Sequence, residues 1–173
     1  MNPGSQDKIY QHIGEFVVSF QWLEDLFRQI GLLILESIGG PYKSDELRSA
    51  STAELVAKVE ILFMEALPRC DLGDELEAHH RQAFIDAVAT FGDVRRARNN
   101  ILHSAFIEMK AGGDVVALMR ANPRDEIHLS KGRPSLEILS DASFAEEMKK
   151  MGEVAWSLGW SKMQLIHRLP RQQ

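Results

Sequence analysis

The sequence lacks the features that mark secreted, membrane-spanning or zinc-binding proteins. Cys70 is the only cysteine in 173 residues, which excludes an intrachain disulfide and a zinc knuckle and fits a reducing compartment. The most apolar run, IGLLILESIGG at 30–40, is shorter than the about 20 residues that a membrane helix needs. The beginning, MNPGSQDK, lacks the basic and then apolar layout of a signal peptide. We therefore expect a soluble, cytoplasmic protein with no membrane partner.

The sequence also lacks an excess of positive charge. Lys and Arg number 20 against 25 Asp and Glu, so the net charge is -5 and no global positive field attracts nucleic acid. A local basic site remains open, because Arg95, Arg96 and Arg98 are close in sequence. Further basic residues follow at Arg120, Arg124, Lys131 and Arg133. The length and the ordinary composition, 45% hydrophobic and 26% charged, indicate a single globular domain over 1–173.

Apolar residues recur at every third or fourth position through four segments, which predicts four helices. These helices cover 7–38, 51–67, 74–104 and 143–169. Ser51 with Glu54, and Ser143 with Glu146, have the spacing of capping boxes. We expect residues 41–50 to form a loop. The pattern predicts an all-α fold, a bundle of about four long helices in an up-down-like order.

The segment 105–140, between the third and fourth predicted helices, has a different pattern. Residues 105–109 and 115–120 flank a Gly-containing turn at 111–114, which predicts a β-hairpin. Short strands are also expected at 127–129 and 136–139, separated by the turn-like Lys131-Gly132-Arg133-Pro134. We interpret 105–140 as a small β-rich or loop insertion within the helical domain.

The end of the third predicted helix, DVRRARNNILH, carries an unusual charge. With Phe91 at zero on a helical wheel, Arg98 lies about 20° away, in the middle of the apolar stripe. A charge at such a position is unfavourable unless it is paired, binds an anion or faces another subunit. Asn99 and His103 lie along one shoulder of the stripe, one turn apart. These three side chains are therefore expected to converge on one groove.

The three residue types suit cleavage of RNA without a metal. An Arg guanidinium binds phosphate oxygens in pairs and stays charged, and it stabilises charge that develops on phosphorus. A histidine near its ordinary pKa moves a proton at neutral pH. The 2′-hydroxyl of RNA then serves as the nucleophile, so DNA is not a substrate. We expect Arg98 and His103 to be catalytic and Asn99 to position the histidine or the substrate.

The stretch RNNILH, Arg98 to His103, resembles the Arg-x(4–6)-His motif of the HEPN superfamily, in which a polar residue such as Asn usually follows the arginine. The resemblance implies a helical bundle and a metal-independent endoribonuclease without a cofactor, typical of toxin–antitoxin and defence systems. It also implies an active site at a homodimer interface, where two copies of the motif face each other. Other members of that superfamily are not nucleases and bind nucleotidyltransferases.

Each of these residues also has a structural interpretation. Arg98 and His103 are cations at a helix C-terminus, where the helix dipole favours them. Arg95 is a candidate for substrate binding. In the structural interpretation, Arg95 and Arg96 are solvated or form ion pairs. Glu24 or Asp25 could pair with Arg98 or orient His103.

Two further pairs have structural interpretations as well. His79 and His80 point about 100° apart on a helix, so they do not share a metal site and are expected on the surface. Trp156 and Trp160, one turn apart, are typical of a core or an interface.

Two functions follow from the sequence. The first is a HEPN-type ribonuclease that acts on RNA as a homodimer, with Arg98 and His103 at the shared cleft. The second is a non-catalytic helical binding module that pairs with an antitoxin or a nucleotidyltransferase. The position of His103 discriminates between them, since a binding module does not require its imidazole to face a cleft.

Overall fold

The computed structural model describes residues 3–112, 114–122, 135–140 and 142–170. The chain is mostly helical, about 75%, which confirms the helical class. The helices are α1 (Pro3–Ile38), α2 (Ser44–Ser49), α3 (Thr52–Ala66), α4 (Asp74–Leu102) and α5 (Ala145–Arg168), with a 3-10 turn at Leu67–Cys70. A small antiparallel sheet contains β1 (Ala105–Ala111), β2 (Asp114–Asn122) and β3 (Ser135–Ile138).

The predicted start of α3 is confirmed. The Ser51 hydroxyl accepts the backbone N–H of Glu54 at 3.5 Å, and the Glu54 carboxylate accepts the N–H of Ser51 at 3.0 Å. This reciprocal bonding satisfies two of the free donors at the helix start. The Ser51 hydroxyl also donates to the Glu54 carboxylate at 2.7 Å, and this bond, followed by the bond from the Ser51 N–H, lowers the pKa of the Glu54 carboxyl. The sequence alone therefore fixes where this helix begins.

Several predicted boundaries were wrong. Helix α1 begins at Pro3 and not at residue 7, and α4 ends at Leu102 and not at residue 104. Residues 44–49, expected to be loop, form α2, in which the Glu46 carboxylate accepts the N–H of Lys43 at 3.3 Å. A helix of six residues is too short to show a repeating apolar spacing. Its one buried residue is Leu47. At the other end of the chain, α5 begins at Ala145 and not at residue 143. The Ser143 hydroxyl accepts the N–H of Ser140 at 2.8 Å, before the helix begins.

The described residues group into two compact units. The first consists of residues 1–20 and 93–149, and holds the start of α1, the end of α4 and the sheet. Its core includes Phe16 and Phe144, whose ring centroids are 6.3 Å apart. Buried residues Ile9, Phe20, Val94, Ile101, Leu118 and Leu139 belong to the same unit. The sheet contributes Leu118 to this core.

The second unit consists of residues 21–92 and 150–173. Its core is an aromatic cluster in which the rings of Phe63 and Phe84 stack at 3.9 Å, and Phe27 contacts Phe91 at 4.9 Å and Phe84 at 6.2 Å. Such pairs contribute about 0.5–1.5 kcal/mol each beyond the area that they bury. Within this unit the cluster joins α1, α3 and α4.

The sheet lies in the first unit, directly after α4. β1 and β2 pair antiparallel with Phe106 opposite Arg120, and the register shifts between Met109 and Lys110. β3 pairs with the other edge of β2, where the strand at 136–139 was expected, and Glu137 on β3 forms an ion pair with Arg120. The predicted strand at 127–129 and turn at 131–134 lie outside the described residues. The division into one domain with an inserted segment stays a prediction.

Candidate functional site

Arg98 lies on the last two turns of α4 and is half-buried, as its place in the apolar stripe predicted. The carbon of its guanidinium is 5.3 Å from the centroid of the Phe20 ring. A cation over an aromatic face at this distance is stabilised by about 0.5–2 kcal/mol. Its Nε is buried and has no hydrogen-bond partner among the described residues. An unpaired buried donor is unfavourable by about 1–3 kcal/mol, so Arg98 is not explained as a stabilising residue.

Asn99 connects the two ends of the motif. Its side-chain Oδ1 accepts a hydrogen bond from Nη1 of Arg98 at 3.1 Å, and its backbone oxygen accepts the N–H of His103, also at 3.1 Å. The amide is half-buried, which shields this hydrogen bond from water. Asn99 therefore orients the guanidinium through its side chain and the His103 backbone through its carbonyl.

His103 lies one residue beyond the end of α4, not inside the helix as predicted. The N–H of Ser104 donates to the Ile101 oxygen at 3.2 Å, which tightens the last turn before β1 begins at Ala105. The His103 side chain is exposed. Within the described part of the chain, its imidazole makes no hydrogen bond, so the structure joins Arg98 to Asn99 but not to the imidazole.

The neighbouring arginines differ in their surroundings. Arg96 is exposed and forms an ion pair with Asp93 one turn before it, in agreement with the interpretation of this residue as paired. Arg95 is half-buried and, among the described residues, makes no ion pair. It therefore remains the candidate for substrate binding.

The sequence did not indicate Phe20, which is fully buried on α1. A contact with Arg98 across some 78 residues leaves no local signal in the sequence. The carboxylates suggested as partners have other roles. Glu24 accepts a hydrogen bond from Thr52, and Asp25 pairs with Arg28 at 3.8 Å.

The prediction for the two adjacent histidines was half wrong. His79 is exposed, but His80 is only 1% exposed. Its ring stacks on Trp160 of α5 at 6.4 Å, and its buried Nε2 has no hydrogen-bond partner among the described residues. Burial, followed by the charges of His79 and Arg168, lowers the pKa of His80. The helical wheel that puts Arg98 about 20° from Phe91 puts His80 at the same angle, inside the apolar stripe, so the sequence did carry the signal for this burial. The contact with Trp160 has no such signal, because Trp160 comes from a distant helix.

No group of three or more His, Cys, Asp or Glu side chains among the described residues is arranged to hold a metal ion. None of the helices that they form is both long enough and apolar enough to span a bilayer.

The chain was compared with known proteins at three levels. No family model, no curated protein and no solved structure matches it.

Proposed function

We propose that the chain is a metal-independent endoribonuclease of the HEPN type that acts as a homodimer, as the toxin or effector of a defence system. The observation that carries the proposal is Arg98, half-buried over Phe20 with an unpaired Nε. Stability does not require such a charge, whereas binding of a phosphate does. The bundle of about four long helices in an up-down-like order, which the sequence pattern predicts, belongs to the same proposal.

In this mechanism the RNA supplies its own nucleophile. The 2′-oxygen attacks phosphorus, the bond from phosphorus to the 5′-oxygen breaks, and the products are a 2′,3′-cyclic phosphate and a 5′-hydroxyl. With two copies of the motif in one cleft, one His103 takes the proton of the 2′-hydroxyl and the other supplies a proton to the leaving 5′-oxygen.

Arg98 and Arg95 act on the phosphate. The half-buried Arg98 is partly shielded from water, so its charge interacts more strongly with the pentavalent phosphorus transition state than an exposed arginine does. Asn99 keeps the guanidinium in place through the hydrogen bond of 3.1 Å. Arg95, on the same helix, binds a neighbouring phosphate of the substrate.

The test is cleavage of a single-stranded RNA in EDTA, beside the same sequence in which every 2′-hydroxyl is methylated. We expect cleavage of the first only, with fragments that end in a cyclic phosphate. Cleavage of the methylated strand, or cleavage that EDTA stops, would contradict the mechanism.

One observation favours a second function, a non-catalytic binding module. The His103 side chain is exposed, and its imidazole makes no hydrogen bond within the described part of the chain, as expected of a polar residue that lies at a helix end without a catalytic role. This function predicts no RNA cleavage and a stable complex with an antitoxin or a nucleotidyltransferase. Co-purification of the chain with a candidate partner at equal stoichiometry, together with absent cleavage, would decide for it.

A further inference from the structure

Helices α1 and α4 lie side by side and run in opposite directions. They contact each other at Phe20 and Arg98 in the first unit, 5.3 Å apart, and at Phe27 and Phe91 in the second, 4.9 Å apart. Residue numbers rise along one helix while they fall along the other, so the pair is antiparallel. The step along α4 from Arg98 to His103 therefore leads toward the start of α1.

One side of α4 in the first unit is buried and the other is open. With Arg98 at zero, the buried residues Val94 and Ile101 lie about 40–60° to one side. Asn99 and His103 lie about 100–140° to the other side, where Asn99 is half-buried and His103 is exposed. The open side of α4 is therefore the side that carries the motif.

Helix α1 is divided in the same way. With Phe20 at zero, Phe16 lies about 40° to the buried side. Tyr10, Gly14 and Val17 lie about 60–120° to the other side, where Tyr10 is 44% exposed, Gly14 is exposed and Val17 is half-buried. Both helices are right-handed, so in an antiparallel pair these two open sides face the same way and form the walls of one groove.

The positions along the helix axes place Gly14 and Tyr10 near the motif. From the contact of Phe20 with Arg98, His103 lies about 7.5 Å away, Gly14 about 9 Å and Tyr10 about 15 Å, all in the same direction. A Cβ built on Gly14 meets nothing within 4 Å, so the α1 wall leaves room opposite His103. We call this surface the motif groove, and it is lined by Tyr10, Gly14, Val17, Asn99 and His103.

The chemistry of the motif groove suits one unpaired nucleotide. Arg98, and Arg95 about 60° from it on the open side of α4, bind phosphate oxygens. The ring of Tyr10 offers a flat apolar face on which any base stacks. In a duplex the neighbouring base pairs cover both faces of each base, so only a nucleotide outside a duplex reaches this ring.

We propose that Tyr10 stacks the base of the nucleotide next to the scissile phosphate, so that the substrate is RNA that is single-stranded at the cleavage site. This inference rests on the proposed ribonuclease function and adds to it a class of substrate and a base contact on α1. Tyr10 binds the substrate and takes no part in proton transfer, which the mechanism leaves to His103.

The test measures binding of a fluorescent single-stranded RNA in which every 2′-hydroxyl is methylated, so that cleavage does not interfere. We expect Tyr10→Ala to bind this strand about tenfold more weakly than the wild type, and Tyr10→Phe, which keeps the ring, to bind it equally well. Trp22→Ala is the matched control, because Trp22 is a 62% exposed aromatic residue of α1, about 120° around the helix from Tyr10. It is expected to retain wild-type affinity.

The same strand annealed to its complement tests the class of substrate. At about 0.15 M salt, where non-specific contacts with phosphate are weakened, we expect the duplex to bind at least tenfold more weakly. Equal affinity for strand and duplex, equal affinity of Tyr10→Ala and wild type, or a wild type that binds no RNA overturns the proposal.

A second variant tests the position of the groove. Gly14→Leu fills the space opposite His103 and is expected to weaken binding at least tenfold without a loss of helicity. Gly152→Leu is its control, because a Cβ on Gly152 of α5 also meets nothing within 4 Å. Wild-type affinity of Gly14→Leu contradicts the groove.

Cleavage of the unmethylated strand, measured in parallel, separates this inference from the ribonuclease proposal. A wild type that cleaves, together with a Tyr10→Ala that binds normally, contradicts the base contact alone. A wild type whose binding depends on Tyr10 but that does not cleave contradicts the ribonuclease and supports the base contact.

Discussion

The guanidinium of Arg98 lies over the Phe20 ring, 5.3 Å from its centroid, while its Nε is buried without a partner among the described residues. The aromatic contact stabilises the charge, and the unpaired donor opposes it. Two opposing terms of similar size leave little net contribution to stability. A residue that contributes little to stability and remains partly dehydrated is a candidate for binding an anion.

The first prediction follows from this balance. Arg98→Met keeps the length and the apolar contact of the side chain and removes the unpaired donor. We expect the free energy of unfolding to stay at the wild-type value or to rise by up to about 2 kcal/mol, while RNA cleavage is lost. Urea denaturation measures the free energy of unfolding. Arg96→Met, at an exposed position on the same helix, is the control and changes neither. A marked loss of stability in Arg98→Met would assign this arginine a structural role.

The second prediction concerns Asn99, whose Oδ1 accepts from Arg98 at 3.1 Å. Asn99→Ala removes this acceptor and leaves the backbone bond to His103 intact. We expect a fall of about tenfold in the cleavage rate, because one hydrogen bond to a charged group contributes about 1.5 kcal/mol. Asn100→Ala, at the exposed neighbouring position, is the control with wild-type activity. Equal rates for the two variants would remove Asn99 from the site.

The third prediction compares two glycines of α1. A Cβ at Gly14 meets nothing within 4 Å, whereas a Cβ at Gly31 meets Leu47 at 2.8 Å and Val59 at 2.9 Å. Both replacements by Ala gain helix propensity, worth about 0.5–1 kcal/mol. We expect Gly14→Ala to stabilise the chain by that amount. Gly31→Ala destabilises it by about 1–3 kcal/mol, because overpacking outweighs the gain. Thermal unfolding of both variants checks the sign of each effect.

The fourth prediction is a dependence of stability on pH. Burial, His79 and Arg168 lower the pKa of His80 below its ordinary value of 6.5. The unfolded chain therefore binds a proton that the folded chain does not. This contribution to stability is fully present above about pH 6.5, and it is lost as the pH falls from there through the lower pKa of the folded state.

His80→Phe keeps a ring against Trp160 and removes the titrating group. The difference in unfolding free energy between this variant and the wild type is expected to change between pH 7 and pH 5, with the wild type losing more stability. The other histidines are present in both chains, so their titration cancels in the difference. A difference that stays constant across this range contradicts the buried, neutral state of His80.

The sequence predicted local features well and long-range contacts poorly. The start of α3 followed from Ser51 and Glu54, since both partners of the capping box lie within one turn. The half-buried position of Arg98 followed from the helical period. The contact of Arg98 with Phe20 and that of His80 with Trp160 could not be predicted from the sequence. Each contact joins residues some 80 positions apart. His103 lies outside α4, since β1 begins two residues later, and such boundaries depend on the competition between neighbouring elements.

The most direct measurement of the central claim is the rate of RNA cleavage in EDTA by His103→Ala beside His79→Ala. Both histidines are exposed, so neither substitution disturbs a core. Since only His103 belongs to the motif, the account predicts wild-type cleavage by His79→Ala. It predicts a loss of at least a hundredfold in His103→Ala, the lower end of the contribution of an acid–base group, about 10²–10⁴-fold. Undiminished cleavage by His103→Ala, with the purified wild type equally active, would contradict it.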